Sequence, residues 1–189
     1  MAPFEYLLLF ASVILGLAAC EIAIGVNRLL GAWERIDWDW LAPLAALLTF
    51  LKLVTQWWAW HGAVGLAAGL TFEMYLAVLA GAVLLFMMAA AALPGPVSEE
   101  GQIDLRLHYA RTRRRFWILF TLHFVIAAGT SIWLQMAIGH ARFAFSPLYL
   151  LGLVGAVSIF VRNRLWQGLA LAGLCLFYFF QSFGQALPG

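Results

Sequence analysis

Charge is what this chain has least of. Only 11% of its 189 residues are Asp, Glu, Lys or Arg, against about 25% in an ordinary soluble domain. With 65% hydrophobic residues and a mean hydropathy of +0.92, so short a chain could not cover itself with polar surface in water. That excludes a soluble globular domain and leaves the lipid bilayer as the solvent. A net charge of +2 is too small to argue for a nucleic-acid partner. Cysteine is scarce as well. Cys20 and Cys175 both lie inside apolar runs, which suits neither a disulfide framework nor a metal site.

Catalytic signatures and cofactor fingerprints are also missing. A zinc or non-haem iron centre needs three or four convergent ligands, and no spacing here supplies them. A transverse haem pair must share one membrane level. Of the four histidines, only His61 and His140 could meet, and His140 sits in the short loop "GHARFAF". Ser131 and His123 stand eight residues apart on one helix, too far along the axis to bond. No cofactor or metal is therefore expected, and an enzymatic role is the lesser expectation. The box "LAAC", Leu17 to Cys20, has the look of a lipoprotein cleavage site. The preceding "MAPFEYLLLF" carries Glu5 and no Lys or Arg, so the basic region that such a signal needs is absent.

What the chain does have is long apolar runs. A span needs about 20 such residues. Six candidates appear: Phe4 to Leu30, Leu41 to Ala63, Gly65 to Leu93, Phe116 to Ile138, Phe145 to Val161 and Leu165 to Phe183. Runs of this length satisfy their backbone in lipid as helices. The expected fold is all-α, a single-domain polytopic bundle of six transmembrane helices with short loops. From Ile103 onward no breaker intervenes, so the fourth helix is expected to begin before the bilayer.

Arginine placement sets the orientation. The 1–2, 3–4 and 5–6 connections carry Arg28, Arg35, Arg106, Arg111, Arg113, Arg114, Arg115, Arg162 and Arg164; the opposite side carries only Arg142. The rich side is read as cytoplasmic, which puts both termini in the periplasm of a cell inner membrane. Trp33, Trp38, Trp40, Trp117 and Trp166 then fall at the inner boundary, and Trp57, Trp58, Trp60 and Trp133 toward the outer one, as aromatic belts. Arg111, Arg113, Arg114 and Arg115 sit at the anionic inner leaflet, as a topology anchor or as a contact for lipid or a partner. His108, in the same loop, is expected to be solvated. Asp37 and Asp39 read as part of an interfacial turn, with Arg35 or the basic loop as partners.

Against this background the stretch "LLTFLKLVTQWWAW" is odd, because Lys52 interrupts it. At about 1.5 Å rise per residue, Lys52 lies roughly 16 Å inside the second span, near the midplane. A charge there costs about 2.5–3.5 kcal/mol on insertion scales. Glu21, Glu73 and His123 also fall within the runs. The expectation is a central charge pair of Lys52 with Glu73 or Glu21, with His123 as an inner-side proton acceptor. Thr49, Lys52, Gln56 and Trp60 share one face of their helix. His123, Ala127, Thr130 and Ser131 share another, as do Tyr178, Gln181, Ser182 and Gln185 on the last span. Gly69, Glu73, Ala77, Ala80 and Gly81 form a small-residue stripe that permits close helix approach, within the bundle or in a homo-oligomer. On the fifth span, Gly152, Gly155 and Ser158 read as packing.

Ionisable groups at stepped depths are what a proton or ion route requires. The expected function is a small membrane transporter or channel. It moves, or couples to, a proton, small ion or solute through Glu21, Lys52, Gln56, Glu73, His123, Thr130, Tyr178 and Gln181. The alternative is a non-catalytic structural or accessory subunit of a larger membrane complex. An inverted three-plus-three repeat finds no residue-level match between the halves.

Overall fold

Leucine and alanine lose little side-chain freedom in a helix, so uninterrupted runs of them favour it. The computed structural model describes residues 3–62, 71–95, 102–137 and 148–186. These form α1 (Pro3–Gly31), α2 (Leu41–Gly62), α3 (Phe72–Ala92), α4 (Leu105–Ala137), α5 (Leu148–Phe160) and α6 (Arg164–Ala186). The protein is all-α. Among the described residues, α1 to α4 are the helices long and apolar enough to cross a membrane. α5 has 13 residues, and α6 has 23 with Leu169, Leu176 and Phe180 exposed along it.

Most boundaries fall close to expectation. α4 does begin early, at Leu105, with an aspartate ahead of it as a cap: Asp104 accepts the Leu107 N–H at 2.7 Å. The exception is α3, which starts at Phe72. The expected start of that span at Gly65 lies outside the described residues, as do His140 and Arg142.

Two elements tie the connections together. A pair of two-residue strands, β1 (Ile36–Asp37) and β2 (Ile103–Asp104), runs parallel, with Ile36 opposite Ile103. Nothing in the sequence pattern announced it. It brings the α1–α2 connection against the start of α4. An ion pair from Arg164 to Asp39 then fastens the start of α6 to the same place. The three arginine-bearing connections therefore gather at one end of the bundle.

In the bundle, α3 packs against α1, α2 and α4; α2 also meets α6 and α1; α5 rests on α4. Glycine allows the last of these contacts. A Cβ added at Gly152 would stand 2.5 Å from the Phe124 ring, and one at Gly155 would stand 2.7 Å from Phe120. Both glycines serve packing, as expected. The outer surface remains apolar: Leu9, Phe10, Val13 and Leu17 on α1 are each more than half exposed. In water that patch would drive association, whereas lipid covers it without cost. Hydroxyls inside the helices are satisfied locally. Thr49, Thr55, Thr121 and Ser158 each donate to a carbonyl one turn back.

Three expectations change here. Trp117 is not a belt residue. It is fully buried, because α4 turns that face toward α6. Trp33, Trp38, Trp40, Trp57, Trp58, Trp133 and Trp166 are exposed, whereas Trp60 is half-buried against the core. His108 is not solvated; it is half-buried at the C-terminal end of α3, beside the carbonyls of Ala91 and Ala92. Asp39 is more than a turn residue. It is buried, caps α2 by accepting the Leu41 N–H at 2.9 Å, and pairs with Arg164.

Candidate functional site

Lys52 lies midway along α2 and is buried, 7% exposed. Its helix face also carries the fully buried Thr49 and the half-buried Gln56. The expected ion pair with Glu73 or Glu21 is not formed. Among the described residues the one ion pair is Arg164 with Asp39. The reason for Glu73 is where its helix begins. With Thr71 as N-cap, Glu73 falls in the first turn of α3, exposed beside the Thr71 hydroxyl. A carboxylate there complements the helix dipole rather than a buried cation. Glu21 is half-buried on α1 and pairs with neither Lys52 nor Arg28. Lys52 instead points its ammonium at the face of Tyr178 on α6, with Nζ 4.8 Å from the ring centroid. A desolvated contact of that kind returns about 2 kcal/mol.

His123 of α4 completes the group. It is 1% exposed and within electrostatic range of Lys52. Its Nδ1 lies 3.1 Å from the Gly81 carbonyl oxygen on α3, and its Nε2 lies 3.2 Å from Oε1 of Gln56 on α2. A carbonyl only accepts, so Nδ1 carries a proton. The role of Nε2 depends on Gln56. A neutral ring needs the Gln56 amide nitrogen at that position, whereas an imidazolium donates to Oε1. Half a turn of the Gln56 amide exchanges the two, since its oxygen and nitrogen are assigned from such networks. His123 thus keeps both hydrogen bonds in either protonation state.

The fold therefore brings Lys52, Gln56, His123 and Tyr178 together from three helices, with Gly81 of α3 as a fourth contributor. Gln181, one turn beyond Tyr178, is half-buried, and its Oε1 has no hydrogen-bond partner among the described residues. Glu73 and Thr130 are separate from this group but share a cavity of about 260 Å³ between the start of α3 and the last turns of α4, with Met74, Ala77 and Trp133. Thr130 donates to the Ala127 carbonyl at 3.0 Å. His61 is exposed and stacks on Trp57 at 5.3 Å. Cys20 is exposed and Cys175 buried, both as free thiols.

A second polar group, which the sequence reading missed, occupies the arginine-bearing end. Gln167 of α6 is 1% exposed. Its Oε1 accepts from the Tyr109 hydroxyl at 2.8 Å and from the Trp117 indole at 2.5 Å. Its Nε2 donates to the carbonyls of Ser158 at 3.0 Å and Val161 at 2.7 Å. Arg113 reaches the same two carbonyls, at 3.1 and 2.5 Å, and so closes the C-terminal end of α5. The basic quartet is thereby divided: Arg113 turns inward, while Arg111, Arg114 and Arg115 stay exposed. The signal available in advance was a glutamine with an indole and a phenol to satisfy, but their meeting spans 50 and 58 residues.

The chain matches no protein-family model, no curated protein and no solved structure. Its chemistry has to be read from these residues.

Proposed function

We propose that this is a six-span membrane protein that moves a proton, or couples a proton to a small ion or solute, through the Lys52–His123 group. The observation that carries the reading is a buried ammonium with no carboxylate paired to it among the described residues, beside an imidazole hydrogen-bonded at both nitrogens. A fixed structural lysine deep in lipid would be expected to have its charge answered by an acid. An aromatic face holds the charge more loosely and leaves the proton exchangeable. The Gln56 amide supports uptake and release at His123 by matching either form of the ring. Two adjacent cations repel, so the group favours one added proton at a time. Glu73 and Thr130, in the cavity toward the opposite end from the arginines, are the proposed outer relay, and Gln181, one turn beyond Tyr178 on α6, is a further polar group proposed for it. Glu21, half-buried on α1, is the proposed acid on the arginine-bearing half of the membrane. By the positive-inside rule the arginine end faces the cytoplasm of an inner membrane and the termini face out.

The accessory-subunit reading has one observation in its favour: Lys52 is sealed from bulk solvent. Reconstitution decides between them. Proteoliposomes carrying an internal pH dye are given a pH step, a membrane potential, or a gradient of common cations and anions. The expected result is a protein-dependent flux that falls at least about 100-fold in K52M and in H123F, the scale of one removed catalytic proton-transfer group. Flux unchanged in both variants, or no flux in the wild type, overturns the transport reading and leaves the accessory one.

A further inference from the structure

The arginine end of the bundle holds a concavity of about 500 Å³. Arg106, Arg113 and Arg114 reach it from α4, and Arg162 and Arg164 reach it from the α5–α6 turn and the start of α6. Tyr109 and Gln167, both buried, form part of its floor. The volume falls within the range of small-ligand sites. Charge within it is badly unbalanced. Asp39 answers Arg164, and among the described residues no other ion pair exists. Arg113 is held by two carbonyls, while Arg106, Arg114 and Arg162 are exposed.

A topology anchor needs only cations near the inner leaflet. It does not need them to converge on one hollow from segments roughly 50 residues apart, the separation of Arg113 and the Val161 carbonyl it holds being 48. Nor does it need the walls to be fixed, as they are here by Gln167, Arg113 and the Asp39–Arg164 pair. On α4 the selection is by face. Arg106, Ala110, Arg113 and Arg114 line the hollow. Arg111, one position past Ala110, and Arg115, one past Arg114, are each rotated by about 100° and fall outside it. Guanidinium forks match phosphate oxygens two at a time.

We infer that this hollow is a binding site for a phosphate-bearing anion, with Arg106, Arg114 and Arg162 as its free ligating groups and Arg113 and Arg164 as fixed ones. Its position at the membrane boundary favours the headgroup of an anionic phospholipid; a soluble phosphate would use the same forks. The site stands independently of any flux through Lys52.

The test uses the full chain in a zwitterionic detergent and reads the ligand-dependent rise in melting temperature. Phosphatidylglycerol, phosphatidylcholine, inorganic phosphate and pyrophosphate are titrated separately. Two charge-matched variants are compared, R106Q/R162Q in the hollow and R111Q/R115Q outside it. The expected result is saturable stabilisation by phosphatidylglycerol and none by phosphatidylcholine. At about 1 kcal/mol per arginine, half-saturation should rise about 30-fold in the hollow variant and less than about 3-fold in the other. The same pattern with the soluble phosphates also supports the site and makes its ligand aqueous. Equal weakening in both variants, or no saturable effect of any anion, overturns the proposal. Should the double variant fail to fold, R162Q alone changes one exposed turn residue; a shift of about 5-fold is expected, and no shift overturns the site.

Discussion

Lys52 belongs to the middle of α2 and Arg164 reaches the N-terminal cap of the same helix from α6, and the two cations are answered differently. Arg164, half exposed, meets the buried carboxylate of Asp39. Lys52, almost fully buried, meets the ring of Tyr178 and the neighbourhood of His123, with no acid paired to it among the described residues. At the arginine end water is near, and Gln167 collects four hydrogen bonds with an acceptor for every donor. At the middle, where an unanswered charge is most costly, one has been left. The first region is arranged as a clamp. The second gives up stability, which is the usual mark of a group retained for chemistry.

The contrast can be broken by measuring unfolding of variants in a common detergent. The largest effect belongs to the clamp. Gln167→Leu strands the Tyr109 hydroxyl and the Trp117 indole at once, while Arg113 still reaches the Ser158 and Val161 carbonyls, and should cost about 3 kcal/mol. A loss below about 1 kcal/mol would mean that water replaces Gln167 without difficulty. Lys52→Met should move the other way. It removes a charge whose burial cost exceeds what an aromatic face returns, and a gain of about 0.5–1.5 kcal/mol is expected. A destabilised K52M would show that Lys52 is itself a clamp, and the contrast would collapse.

Smaller changes sharpen the same picture. Asp39→Ala should cost about 1 kcal/mol, mostly through the lost cap on α2, since a half-exposed partner such as Arg164 adds little. Asp39→Asn keeps the cap and should recover most of that loss; equal losses in the two would shift the weight to the ion pair. Least of all is the response to salt. Raising ionic strength from about 0.01 to 0.5 M should take a few tenths of a kcal/mol from wild type and nothing from D39N, because the half-exposed Arg164 leaves the pair partly open to screening and D39N has no pair to screen. Lys52 variants should keep the wild-type salt response.

Much of the helical plan was open to reading from the order of residues. Composition alone demanded lipid, and the runs placed α1, α2, α5 and α6 close to where they fall. Lys52, Gln56 and Thr49 were assigned to one inward face from their spacing, and that face is inward. Glu73 was misplaced because a run of glycine, alanine and leucine carries no mark of where α3 begins. Once Thr71 is the cap, the same glutamate lies at a helix end. Trp117 was assigned to a belt by its depth, since depth is readable from position while the direction a helix face takes toward α6 is not. Arg162 and Arg164 were counted only for their sign.

Hydropathy and charge asymmetry are local sums, so the sequence by itself determined the lipid environment, the helical class and the set of residues too polar to face acyl chains. Which of those residues meet was decided only by tertiary structure. Pairings such as Lys52 with Tyr178, His123 with Gln56 and Gly81, and Gln167 with Tyr109 and Trp117 cross between helices. They depend on the rotation of each helix about its axis and on the close approaches that glycine permits. A shift of one residue turns a helix face by about 100°, and no periodicity along one chain segment specifies that angle relative to another.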